Sequence, residues 1–195
     1  VDVLTYIATD QNISSDDLAP NDVAPVFTSA ATFSAAENQT SIGTVTATDS
    51  DSSSITFTVS GSELAITPGG VLSFKTAADY ETKPTYTATV TASDGTNTET
   101  QAITVNVSDA NDNAPIIESS PVFSAAENQT SIGTVTATDS DSSSITFTVS
   151  GSELAITSGG ILSFASAPDY ETKTSYNATV TASDGSNETS QNITV

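Results

Sequence analysis

An internal repeat limits how this chain can fold more than any other feature. Slid against itself, the sequence aligns at an offset of 90 residues, without insertion or deletion, from Phe33 against Phe123 to Val105 against Val195. Positions 33–67 and 123–157 are identical, 35 in a row. A chain of 195 residues built this way holds two small domains. Identity this high implies recent duplication and a parent protein with many more copies, in which each unit contacts only its neighbours.

Within each copy the apolar period is two. Ile55, Phe57 and Val59 alternate with Thr and Ser, as do Tyr86, Ala88, Val90 and Ala92, and then Ile103, Val105 and Val107. Strands that bury one face read this way. Turn-forming residues punctuate them at Gly43, over 49–54, at Gly61, at Gly69 and Gly70, and at Asp94 with Gly95. About seven short strands therefore fit into about 90 residues, with no capped 3.6-residue period anywhere. The expected fold is all-β: two tandem β-sandwiches.

Hydrophobic residues make up 36% of the chain, mostly Val, Ile, Ala and Leu, and charged residues only 14%. That composition suits half-buried strands and argues against a disordered acidic tail. Only around ten large apolar side chains per repeat are available for a core, and so small a domain buries its surface inefficiently. With no cysteine in the sequence there is no disulfide or thiolate metal site to reinforce it. A bound metal is the usual substitute.

The charge balance is extreme. Asp and Glu number 24 against three lysines, Lys75, Lys83 and Lys173, with a net charge of -21. Nucleic acid and anionic membrane surfaces are excluded as partners, because both need a basic face. No apolar run is long enough to span a bilayer and no signal peptide is visible. Clustered carboxylates attract divalent cations, while scattered ones only confer solubility. Position decides between the two. The acidic residues lie at strand ends and turns: Glu37, Asp49, Asp51, Asp79, Glu81 and Asp94, then Glu127, Asp139, Asp141, Asp169, Glu171 and Asp184. Any one of them alone also reads as an ordinary Asx-turn. Between the repeats, Asp109-Ala110-Asn111-Asp112-Asn113-Ala114-Pro115 mixes carboxylates, carboxamides and carbonyls, the oxygen set of a six- to eight-coordinate calcium ion.

Five motifs in order, each present in both repeats or between them, carry a family resemblance. Ser34-Ala35-Ala36-Glu37-Asn38, Thr46-Ala47-Thr48-Asp49-Ser50-Asp51, Asp79-Tyr80-Glu81, Ala92-Ser93-Asp94-Gly95 and the linker over 109–113 together resemble the cadherin repeat, over roughly residues 25–195. Two departures stand out: Ala36 where Pro is frequent, and Tyr80 where Arg is usual. The resemblance implies two tandem seven-stranded Greek-key sandwiches of the cadherin or immunoglobulin-like kind. Their layout would be an N-terminal segment with a partial linker (1–24), repeat one (25–108), a calcium-binding linker (109–115) and repeat two (116–195). It also implies a calcium site, typically of three ions. Its ligands would be Glu37, Asp79 and Glu81 from the base of repeat one, Asn111 and Asp112 side chains with Ala110 and Asn113 carbonyls, and Asp139, Asp141 and Asp184 from the top of repeat two. A reduced site near the start would use Asn21, the Val23 carbonyl, Asp49, Asp51 and Asp94. Glu127, Asp169 and Glu171 have no following linker in this sequence, and that last site is expected to be empty or loosely filled.

Catalysis is not expected. The chain has no His and no Cys, so neither common activated nucleophile has its base. Two functions compete for the repeats. In one they are a calcium-stiffened extender or adhesive segment of a long secreted or surface-anchored protein, as in bacterial adhesin arrays, meeting neighbouring repeats or like molecules. In the other they are a calcium-dependent module that binds surface carbohydrate or a protein.

Overall fold

The computed structural model describes residues 23–52, 54–142 and 144–195, and every regular element among them is a β-strand. The N-terminal segment up to residue 22, with the expected ligand Asn21, lies outside the described residues. Contacts divide the chain into two compact units, Val1–Asp109 and Ala110–Val195.

Unit one carries nine strand segments: β1 (Val26–Phe27), β2 (Thr32–Ala36), β3 (Ser41–Thr44), β4 (Ala47–Thr48), β5 (Thr56–Val59), β6 (Leu64–Ile66), β7 (Val71–Phe74), β8 (Thr85–Ser93) and β9 (Thr98–Ser108). They amount to seven strands, because β1 and β2 are parts of one strand broken over 28–31, and β3 and β4 of another broken over 45–46. One sheet has the order β2-β9-β8-β5; the other is β3-β7-β6, with β1 pairing β4. The chain crosses between sheets from β5 to β6 and back from β7 to β8. This is an immunoglobulin-like β-sandwich.

The alternating residues seen in the sequence point into it. Val90, Ala92, Ile103, Val105 and Val107 are buried from the long pair β8 and β9, and they meet Leu64, Leu72 and Phe74 from the opposite sheet. Each such Val or Leu contributes about 1.5–3 kcal/mol on burial. The outward positions of the same strands are Thr, Ser, Asn and Ala, residues suited to a solvated strand face.

Two details depart from a simple antiparallel reading. β2 runs parallel to β9, pairing Thr32 with Thr104 through Ala36 with Ser108, whereas β1 is antiparallel to β4. The first strand changes sheet at its break without reversing direction, so it meets neighbours of opposite sense. Gly43, expected as punctuation, instead lies inside β3 at a register shift, where the Phe33 ring sits 3.4 Å from where a Cβ would be. Gly70 does serve a turn. Its φ is +88°, and a Cβ would stand 2.2 Å from the Val45 carbonyl oxygen, while its own carbonyl accepts the Val45 N–H at 2.9 Å.

Unit two repeats the design with β10 (Ile116–Ile117), β11 (Ser131–Thr134), β12 (Ala137–Thr138), β13 (Thr146–Val149), β14 (Leu154–Ile156), β15 (Ile161–Phe164), β16 (Asn177–Ser183) and β17 (Glu188–Thr194). Its sheets are β13-β16-β17 and β11-β15-β14, with β10 on β12. The counterpart of β2 is reduced to a parallel bridge between Val122 and Thr194. The counterparts of Asn106, Val107 and Ser108, which complete that pairing in unit one, fall past the last residue of this sequence.

Candidate metal centre

Each unit presents acidic groups at both ends, and the strands fix which residues meet there. At one end of unit one, β2 stops at Ala36, and Asn38 adopts a positive φ of 61° that turns the chain sharply. The turn tucks Glu37 inward until it is only 5% exposed, and its Oε2 accepts the Tyr80 N–H at 2.7 Å. The Glu37 N–H donates to the Ser108 carbonyl at the end of β9, so the next residue, Asp109, emerges beside it. Carboxylate oxygens of Glu37, Glu81 and Asp109 lie within 4.8 Å of one another.

Asp79, expected at this end, caps its own turn. Its two oxygens accept the Thr82 N–H and hydroxyl, both at 2.9 Å. Asp109 is not in the ligand set expected from the sequence, because only the parallel β2–β9 register brings it next to Glu37. In unit two the corresponding end gathers Glu127, Asp169 and Glu171 within 4.8 Å, all exposed. There Asp169 also accepts the Thr172 hydroxyl and the Glu171 N–H, and its pKa lies below the ordinary value, chiefly through Thr172.

The opposite end of unit one collects Asp49, Asp51 and Asp94, again within 4.8 Å. Asp49 and Asp51 follow β4, and Asp94 follows β8. Asp49 divides its two oxygens between two tasks. Oδ1 accepts the N–H groups of Asp51 and Ser52 at 2.9 and 3.0 Å, and Oδ2 is buried without a hydrogen-bond partner. Val23 is strapped to this end: its N–H donates to Asp51 Oδ2 at 3.0 Å, and its carbonyl accepts Asn97 Nδ2 at 3.2 Å. Desolvation acts to raise the Asp94 pKa, and so does the charge of Asp51. The N–H groups of Asn97 and Thr96, both at 2.6 Å, and the Asn97 amide outweigh them, so the pKa falls below the ordinary value.

Unit two shows the same construction with linker residues in place. Asp139 Oδ1 accepts the N–H groups of Asp141 and Ser142, and its Oδ2 is likewise buried and unpartnered. Asp141 Oδ2 accepts the N–H groups of Asp112 and Asn113 at 2.9 and 2.7 Å, and Oδ1 accepts Asn113 Nδ2 and the Ser140 hydroxyl. The Asn113 N–H is the chief reason that the Asp141 pKa is held down to about 2. Asp184 also titrates below its ordinary value, mainly through the Asn187 N–H. Asn187 Nδ2 reaches the Asn111 carbonyl at 3.3 Å and its Oδ1 at 3.0 Å. Of the linker residues, Ala110 opens this unit, and Asn111, Asp112 and Asn113 are strapped to its acidic turns. Asn97 and Asn187, which fasten the straps, are not among the residues expected from the sequence at these sites.

These donor sets fit a calcium ion. They are all-oxygen, and a buried carboxylate oxygen without a donor is costly unless a cation meets it. The same orphan recurs at Asp49 and Asp139, where an Asx-turn accounts for Oδ1 alone.

Comparison with known proteins bears on the same residues. The cadherin domain family model matches residues 31–108. The human "Cadherin EGF LAG seven-pass G-type receptor 2" is 34% identical over 164 residues, 74% of this chain and 6% of the receptor. The Drosophila melanogaster "Protocadherin-like wing polarity protein stan" is 35% identical over 176 residues, 76% of this chain and 5% of that protein. The chain thus spans about a twentieth of the curated relatives it matches. Among solved structures, mouse cadherin-23 EC22-24 superposes with a TM-score of 0.72 at 27% identity, covering 89% of this chain and 66% of that one. Human protocadherin-24 EC1-2 gives a TM-score of 0.73 over 89% of this chain and 95% of that one, and at 23% identity it shows the fold. Among the described residues no helix is long and apolar enough to cross a membrane.

Proposed function

We propose that this chain is a calcium-dependent extender or adhesion segment of a long extracellular protein, with repeats 25–108 and 116–195 stiffened by calcium at the linker 109–115. The observation that supports this most is the paired orphan, Asp49 Oδ2 and Asp139 Oδ2, each buried without a donor, the first within a cluster of three carboxylates. Glu37, Glu81 and Asp109, with Asp79 nearby in sequence, form the ligand set of repeat one. Asn111, Asp112, Asp139, Asp141 and Asp184, with the Ala110 and Asn113 carbonyls, form that of the linker and repeat two. Asp49, Asp51, Asp94 and the Val23 carbonyl, with Asn21, hold a further ion. Calcium supplies charge neutralisation: like carboxylates about 4 Å apart repel by roughly 1 kcal/mol in water and about 4 kcal/mol near a protein surface. Asp109 and Ala110 are joined by one peptide bond, so ions held on both sides of it restrict the freedom of that joint. Near-identical neighbours, no cysteine and almost no basic residues favour a bacterial adhesin array as the parent.

Small-angle scattering with and without a chelator tests this reading. Chelation should broaden the distribution of interatomic distances, and restored calcium should narrow it. Profiles that superimpose in the two conditions would sink the stiffening role.

A further inference from the structure

The identical segments 33–67 and 123–157 carry β2 from Phe33 onward through β6 of unit one, and β11 to β14 of unit two, which is the first half of each sandwich. The second halves differ between units, as at Lys75 against Ala165, Pro84 against Thr174, Thr98 against Glu188 and Ala102 against Asn192. Those differences avoid the β5 and β6 strand pairs, and where they reach the seam the backbone bond is the same: Asn38 N–H to the Ala78 carbonyl against Asn128 N–H to that of Pro168, and Lys75 N–H to the Glu63 carbonyl against Ala165 N–H to that of Glu153. β5 pairs Thr56 with Ser93, Phe57 with Ala92, Thr58 with Thr91 and Val59 with Val90; β13 pairs the same residue types with the same residue types. β6 on β7 and β14 on β15 match in every pair, Leu with Phe, Ala with Ser and Ile with Leu. β3 on β7 and β11 on β15 differ in one partner, Val71 against Ile161, whose side chains are 53% and 59% exposed. The ion pairs that tie the halves together, Lys83 with Glu63 and Lys173 with Glu153, are also the same. Even the loop bonds agree: Val45 N–H to the Gly70 carbonyl at 2.9 Å and Val135 N–H to the Gly160 carbonyl at 2.8 Å.

We propose that the second half of each unit is a docking surface for the first half of the other, so that 33–67 and 123–157 exchange partners within one chain or between two copies. Within one chain, both sandwiches can form in exchanged connection. Residues 33–67 complete 161–195, and residues 71–108 are completed by 123–157, which follows them through 109–122. The pairs made by β3, β5 and β6 are kept, apart from the exposed Val71 and Ile161, and the pairing to residues 106–108 passes from Ser34, Ala35 and Ala36 to Ser124, Ala125 and Ala126. What changes is loop length, whose entropic cost grows only logarithmically. Native connections are shorter and win at equilibrium, while the exchanged form is a trap that refolding enters. Tethering gives the second half an effective concentration on the order of millimolar, so exchange within a chain dominates at micromolar protein and exchange between copies grows with concentration.

The absence of cysteine provides a direct test. Thr58 pairs with Thr91 in the native unit and would pair with Thr181 after exchange. The variants Thr58→Cys with Thr181→Cys, Thr58→Cys with Thr91→Cys as the native pair, and Thr58→Cys with Thr194→Cys as an out-of-register pair are unfolded in urea. Each is then refolded with glutathione disulfide as oxidant. The 58–181 disulfide should exceed the 58–194 one several-fold after refolding and be missing from protein never unfolded. It should form within monomers at low concentration and within dimers at high. Formation of 58–91 verifies that the variants fold. A 58–181 yield no higher than the 58–194 yield, with 58–91 formed, would overturn the proposal.

Discussion

Asp139→Asn separates the two jobs that the structure gives one carboxylate. The new side chain keeps an oxygen for the N–H groups of Asp141 and Ser142 and puts an amide where the buried, partnerless Oδ2 stands. Without calcium the turn is preserved and the change should be within about 0.5 kcal/mol of neutral. With calcium at a hundred times its dissociation constant, a site contributes about 2.7 kcal/mol to stability. Extracellular calcium modules bind at about 10⁻⁴ to 10⁻³ M, so about 10 mM calcium reaches that ratio for the tighter sites. If losing one carboxylate weakens the site a hundredfold, the remaining contribution is about 0.4 kcal/mol, a loss of about 2.3 kcal/mol. For a domain of this size that is a drop of roughly 9–18 °C in melting temperature, seen only with calcium. Differential scanning calorimetry of both proteins, each in calcium and in chelator, measures the four values needed. Equal losses in the two conditions would mean that Asp139 serves the turn alone, and the metal argument built on its Oδ2 would be wrong.

Two further outcomes follow from local geometry. Gly70→Ala forces a left-handed φ on a residue with a side chain and drives its Cβ into the Val45 carbonyl, whereas Gly61, at φ +83°, has nothing within 4 Å. Urea denaturation should show a loss of about 2–5 kcal/mol for Gly70→Ala and about 1 kcal/mol for Gly61→Ala, and equal losses would refute the backbone contact. The Asp141 pKa is depressed, so its hydrogen bonds to Asp112 and Asn113 stabilise the fold fully above the ordinary value of 3.8 and are lost as pH falls through about 2. Carboxyl NMR in chelator should find that low midpoint, and Asn113→Ala should raise it only part of the way, since the backbone N–H of residue 113 remains. A midpoint near 3.8 in the parent protein would contradict the strap.

The alternation of Val90, Ala92, Ile103 and Val105 with Thr made the sandwich legible, because one buried face per strand is a local property of sequence. The β2–β9 parallel pairing was not legible, since it depends on where a broken strand changes sheets. Asp109 was missed as a ligand for the same reason: its neighbour Glu37 is 72 positions away in sequence and is brought near only by that register. Gly43 was misread as a turn because glycine marks both sharp turns and close packing, and the ring of Phe33 decides between them. The Asp-x-Asp turns were legible as oxygen clusters, yet a spacing cannot say which oxygen of Asp49 is consumed by the turn and which is left over. Asn97 and Asn187 carry no sequence signal beyond a turn, because their role is to reach residues 74 and 76 positions away.

Isothermal titration calorimetry of calcium into chelator-stripped protein tests the central claim most directly. The account predicts saturable binding by more than one ion, weakened in Asp49→Asn and in Asp139→Asn and lost further when both are combined. No saturable binding at millimolar calcium, or binding that both substitutions leave unchanged, would contradict it.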